Sequence, residues 1–161
     1  MNDSQLTDDP GPKTQRRWSA LWPAVVLVAA CMAAYVWANR PARSAVAWEA
    51  DLDAARQKAA AESRPILVEF TADSCAACRM MDRDVFSQQE AAEAMGDFIP
   101  VRLEMNSHRA VAQEYGVTGM PTFLVFSPDG RLVTAQVGAV PLRYFLLFLD
   151  QARDAVQREQ R

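Results

Sequence analysis

Residues 66–79 read Ile66-Leu67-Val68-Glu69-Phe70-Thr71-Ala72-Asp73-Ser74-Cys75-Ala76-Ala77-Cys78-Arg79. The first five form a short apolar run, interrupted only by Glu69, and predict a central strand. A turn follows, and the stretch from Cys75 to Met81 should open a helix. A Cys-x-x-Cys pair therefore stands at a helix start directly behind a buried strand. Unpaired backbone N–H groups and the helix dipole favour negative charge at such a place. A thiolate, not a thiol, attacks disulfides. Cys75, at the helix edge, is the expected nucleophile; Cys78, one turn further in, is the expected resolving thiol.

The same spacing also begins zinc sites. The chain has three cysteines and one histidine, His108, and no second pair to complete a tetrahedral site. Redox work is the favoured reading, with no metal and no cofactor beyond the Cys75–Cys78 disulfide itself. A purely structural bridge competes with it, but closing so short a loop gains little chain entropy. Three cysteines are too few for a disulfide-stapled scaffold.

Two further positions bear on the pair. Glu69 interrupts an apolar strand six residues before Cys75. Burial there would raise its pKa and suit it to accept the proton of Cys78; the alternative is a strand residue facing solvent. Met120-Pro121 follows Gly119 and precedes a predicted strand. A cis bond there would bring the Met120 backbone beside the sulfurs, and an ordinary trans turn is the other option. Arg102 would reach Glu69 if the next strand lies alongside, which alternation alone does not decide. His108 lies in a polar turn and reads as solvated.

Working outward, residues 48–63 are rich in helix formers, with Trp48, Leu52, Ala55 and Ala59 at helical spacing, and Pro65 ends the helix. Ser87 with Glu90 resembles a capping box opening a helix over 87–95. Val101, Leu103 and Met105 alternate as a strand within 98–105, and 107–115 form a short helix. Thr122 to Phe126 is a strand, Ser127-Pro128-Asp129-Gly130 a turn, and Arg131 to Val137 the returning hairpin strand. Leu142, Phe145, Leu146, Leu149 and Ala152 give a last helix its apolar face. The order is α-β-α-β-α-β-β-α, an α/β domain over 48–161.

Residues 18–38, WSALWPAVVLVAACMAAYVWA, contain no charge. That length suits a transmembrane helix, with aromatic residues toward its ends. Residues 1–17 are a polar tail read as disordered, and 39–47 a linker. Lys13, Arg16 and Arg17 precede the span, which places the N-terminus in the cytoplasm and the domain in the periplasm of a bacterial inner membrane, as a single-pass protein. A cleaved signal peptide, or a lipoprotein signal ending at Cys31, are the alternatives. The chain has 17 basic and 20 acidic residues. No basic block stands out, which argues against nucleic acid as a partner.

The block from Ile66 to Arg79, followed by Tyr115-Gly116-Val117-Thr118-Gly119-Met120-Pro121-Thr122-Phe123, resembles the thioredoxin superfamily over roughly residues 48–150. Within it, Ala72-Asp73-Ser74-Cys75-Ala76-Ala77-Cys78-Arg79 and Val85-Phe86-Ser87 are similar to the periplasmic C-terminal domain of DsbD-type interchange proteins. The resemblance implies a thioredoxin-like fold, a central mixed sheet flanked by helices, behind the N-terminal transmembrane helix. It implies Cys75 as nucleophile, Cys78 as resolving thiol, Glu69 as buried acid and Pro121 as a cis-proline. Met120, Ser74, Ala76 and Ala77 then border the substrate. It also implies reduction of protein disulfides in an oxidising compartment, with periplasmic substrate proteins, apocytochrome c among them, and a membrane electron donor as partners.

The chain departs from the family at Ser74, where a tryptophan usually stands, and at Ala76-Ala77, which bring neither charge nor proline. Two other functions fit the same residues. One is a dedicated apocytochrome c reductant, although such proteins carry an insertion for which Cys78 to Pro121 leaves little room. The other is a non-catalytic binding or chaperone module.

Overall fold

The computed structural model describes the backbone of residues 18–38 and 45–161, with side chains over 22–37 and from 45 onward. The expected tail, 1–17, and most of the linker lie outside these residues. The chain divides into two compact units, Met1–Pro41 and Ala42–Arg161, each described by itself.

In the first unit, α1 spans Trp18–Ala38 and contains Pro23. Its described side chains, 22–37, are all exposed. Among the described residues no helix is long and apolar enough to cross a membrane.

The second unit is built on a four-stranded sheet. Its strands are β1 (Ile66–Thr71), β2 (Ile99–Glu104), β3 (Thr122–Phe126) and β4 (Leu132–Val137), in the order β2-β1-β3-β4. β1 runs parallel to β2 and antiparallel to β3, and β4 returns antiparallel to β3. The helices are α2 (Leu52–Glu62), α3 (Ala76–Met81), α4 (Gln89–Met95), α5 (Arg109–Glu114) and α6 (Leu142–Glu159), with a π-helical turn, Asp82–Phe86, continuing α3.

Alternation on β1 divides the core. Ile66, Val68 and Phe70 pack with Leu52, Ala55 and Ala59 of α2. Leu67 packs on the other face with Met81, Val85, Phe86, Phe123, Phe145 and Leu149. β1 is buried along most of its length, as a central strand must be when helices cover both faces.

Two local expectations are corrected. The first helix does not start at Trp48. Asp51, in an extended conformation, caps it, its Oδ1 accepting the N–H groups of Asp53 at 2.8 Å and Ala54 at 3.1 Å. The residues before it run alongside β2 instead: Glu49 N–H donates to Pro100 O at 2.8 Å, and Arg102 N–H to Glu49 O at 2.9 Å. Val46 is already a core residue. Asp51→Ala should cost about 1 kcal/mol, and Asp51→Asn much less, in denaturant or thermal unfolding.

The Ser87 capping box also does not form. The Ser87 hydroxyl donates to Arg83 O at 2.6 Å, closing the π-turn, and Gln88 stands at the start of α4 with no side-chain cap. The competing acceptor lies four residues back, where a serine side chain readily bonds a carbonyl.

Candidate active site

The cysteines meet at the end of the sheet where β1 stops. Phe70 pairs with Thr122, so the loop leaving β1 and the loop entering β3 emerge at the same end. Cys75 lies on the first loop and Pro121 on the second. The Met120–Pro121 peptide is cis. Thr122 Oγ1 donates to Gly119 O at 2.8 Å, and Gly138 N–H to Pro121 O at 2.8 Å. The first bond closes the turn at the β3 entrance, and the second ties that entrance to the residue after β4.

Cys75 and Cys78 form a disulfide, with sulfurs 2.12 Å apart. Cys75 caps α3, and its Sγ accepts the Cys78 N–H at 3.1 Å. The turn before it is held by Cys75 N–H to Ala72 O at 3.0 Å and by Arg79 Nη1 to Asp73 O at 2.7 Å. Exposure separates the two sulfur-bearing residues: Cys75 is half-buried, whereas Cys78 is 2% exposed. Ser74 and Ala76 are exposed, Ala77 and Met120 half-buried, and Pro121 buried. An apolar cleft of about 280 Å³ adjoins the last turn of α3, lined by Met80, Met81, Val85, Val140 and Leu142 among others.

Glu69 faces inward and is fully buried. It shares the β1 face of Leu67, which the α3 and α6 side of the core covers. Its β2 neighbour is Arg102. Arg102 Nε donates to Glu69 Oε2 at 2.7 Å, and Nη2 to Asp82 Oδ1 at 2.7 Å. Glu69 Oε1 has no hydrogen-bond partner among the described residues. Burial pushes the Glu69 carboxyl up to about 7, against the opposing pull of the Arg102 charge and hydrogen bond. Such a group is half-ionised near neutrality and can take or give a proton there.

The loop that leads to Cys75 and Cys78 and the loop that carries Met120-Pro121 thus lie at the same end of the sheet, while Glu69 on β1 is bonded to Arg102 on β2. His108 is not among these residues. Its Nδ1 lies 3.1 Å from Glu104 O in the turn after β2. Asp82 escaped the sequence reading. Its signal was its position four residues after Cys78, which puts it on the same helix face. Among the described residues no cluster of three His, Cys, Asp or Glu side chains would hold a metal ion.

Comparison with known proteins agrees with this geometry. The family model of the thioredoxin-like domain matches residues 52–153. The thiol:disulfide interchange protein DsbD of Pseudomonas fluorescens is 33% identical over 112 residues, which are 66% of this chain and 19% of that protein. The chain thus spans about a fifth of that relative. Thioredoxin 1 of Synechococcus elongatus is 36% identical over 87 residues, covering 53% of this chain and 78% of the relative. The oxidised C-terminal domain of Neisseria meningitidis DsbD superposes with a TM-score of 0.55 at 26% identity, covering 66% of this chain and all of that domain.

Proposed function

Because the chain belongs to the thioredoxin-like domain family, we propose that it is a thiol–disulfide oxidoreductase that reduces protein disulfides on the outer side of a bacterial inner membrane, with α1 as its anchor. The observation that carries the chemistry is the Cys75–Cys78 disulfide, with one residue half-exposed at a helix start and the other buried behind it.

In the reduced protein, the Cys75 thiolate attacks one sulfur of a substrate disulfide. The leaving substrate thiolate takes up a proton, and Cys75 is joined to the substrate as a mixed disulfide. Cys78 then loses its proton and attacks Cys75 Sγ. The substrate departs as a dithiol, and Cys75–Cys78 is left oxidised by two electrons. Glu69, joined through Arg102 to Asp82 at the end of α3, is the acceptor for the Cys78 proton, since its carboxyl titrates near neutrality. A membrane electron donor returns the two electrons.

The anchor reading rests on α1. That reading comes from the sequence of residues 18–38, a length that suits a hydrocarbon core; the side chains described, 22–37, are by themselves too short a stretch to span it. No charge interrupts residues 18–38, and basic residues precede them. Reduction of exported proteins, apocytochrome c among them, is the activity we propose for a domain so anchored; the likeness to DsbD supports the interchange chemistry.

The test is substrate trapping. The full chain with Cys78→Ala should accumulate mixed disulfides with exported proteins, in the membrane fraction, that a chemical reductant dissolves. Adding Cys75→Ser should remove them. Absence of adducts, or adducts that persist without Cys75, would sink the proposal.

A further inference from the structure

Arg102 holds two carboxylates with one guanidinium, and what keeps it there lies outside the sheet. Its Cζ is 4.3 Å from the ring centre of Trp48 and 5.4 Å from that of Phe86. Those rings meet edge to face, 5.2 Å apart. The guanidinium therefore sits in the corner between two aromatic rings. Phe86 is a core residue at the end of the π-turn. Trp48 is half-buried and belongs to the segment that precedes α2. That segment is fastened at both ends: Ala45 N–H donates to Phe86 O at 2.7 Å, and Glu49 exchanges backbone bonds with Pro100 and Arg102.

We infer that Trp48 is a positioning residue for the redox site, fixing the plane of the Arg102 guanidinium so that it bonds Glu69 and Asp82 at once. A flat cation on an aromatic face loses rotational freedom, and its fork is then aimed. The charged groups facing Glu69 are Arg102 from β2 and Asp82 from the π-turn, while its β3 neighbour, Phe123, is uncharged. Asp82 competes for the same guanidinium, so the orientation of Arg102 decides how much of its charge Glu69 receives. Trp48 thereby sets the pH at which Glu69 takes up its proton. The inference rests on the reading of Glu69 as proton acceptor for Cys78.

The experiment is a 13C NMR titration of the Glu69 carboxyl in the reduced full chain, in detergent micelles. Trp48→Met should raise the midpoint by about half a unit or more, because Glu69 loses part of its cationic partner. Trp48→Phe, which restores a ring, should bring it back. In an Arg102→Met background, Trp48→Met should add no further shift. An unmoved midpoint in Trp48→Met, or an equal shift without Arg102, overturns the inference. Should Trp48→Met fail to fold, Trp48→Leu makes the same test: it keeps an apolar side chain and removes the ring, and an unmoved midpoint is again fatal. The underlying reading fails separately. If Glu69→Gln leaves the pH profile of disulfide exchange unchanged, Glu69 is not the acceptor, whatever Trp48 does to its titration.

Discussion

Cys75→Ser in the full chain should lower insulin reduction by roughly three orders of magnitude or more, to the background rate of the chemical reductant. A serine hydroxyl at that position remains protonated at neutral pH, and the nucleophile in disulfide exchange must be a thiolate. Cys78 cannot take over the first attack, because it is 2% exposed where Cys75 is half-buried. The substitution should leave the fold in place. The bridge closes a loop across two intervening residues, which the loop-entropy account values at only about 2 kcal/mol. The control is therefore an unfolding curve beside the activity assay. Activity retained by a folded Cys75→Ser chain would mean that the pair is not the redox centre. Cys31, a free and exposed cysteine in α1, would then be the next thiol to replace.

Stability of the reduced domain should fall as pH rises from about 4.5 to about 7, and Glu69 should be the main cause. Its carboxyl titrates near 4.5 when unperturbed and near 7 in the fold. Between those values the folded state holds a proton that the unfolded state has lost, so raising the pH favours unfolding. Below 4.5 the group is neutral in both states and contributes no slope. Above 7 it is charged in both, and the whole penalty is present, on the order of 3 kcal/mol. Glu69→Gln should flatten this part of the profile and raise stability at pH 8 relative to the parent. Urea unfolding at a series of pH values is the measurement. A Glu69→Gln profile parallel to the parent's would show that Glu69 does not titrate differently on folding. The cost is borne by a group whose Oε1 has no partner among the described residues and whose other oxygen holds Arg102. A carboxyl kept uncomfortable in this way is suited to exchanging protons near neutrality.

Much of the fold was legible from period and punctuation. The apolar run at Ile66–Phe70 and the alternation at Val101 and Leu103 are signals one strand long. The turn at Ser127–Gly130 carries its own chemistry, and Gly130 takes the positive φ, 87°, that the turn asks for. The errors fell where two local signals competed. Trp48 continues the helical stripe of Leu52, Ala55 and Ala59, yet the Asp51 side chain caps the helix behind it. Ser87 and Glu90 have capping spacing, yet the hydroxyl found Arg83 O first. The π-turn had no sequence signal of its own. It follows from burying both Val85 and Phe86 while turning Asp82 toward Arg102.

For the site, the sequence alone determined the reacting pair. A Cys-x-x-Cys behind a strand needs only local geometry, because one turn of helix brings the two sulfurs together. It also marked Glu69, since a carboxylate inside an apolar strand is an anomaly wherever the strand ends up. The tertiary structure decided everything that depends on a second strand. The register Glu69 to Arg102 and the return of Asp82 to the same guanidinium are contacts between residues 20 and 33 positions apart. The closing of Trp48 over that guanidinium is more remote in sequence still. Those contacts form only when sheet register and helix packing are both set, and no periodicity in the chain encodes them.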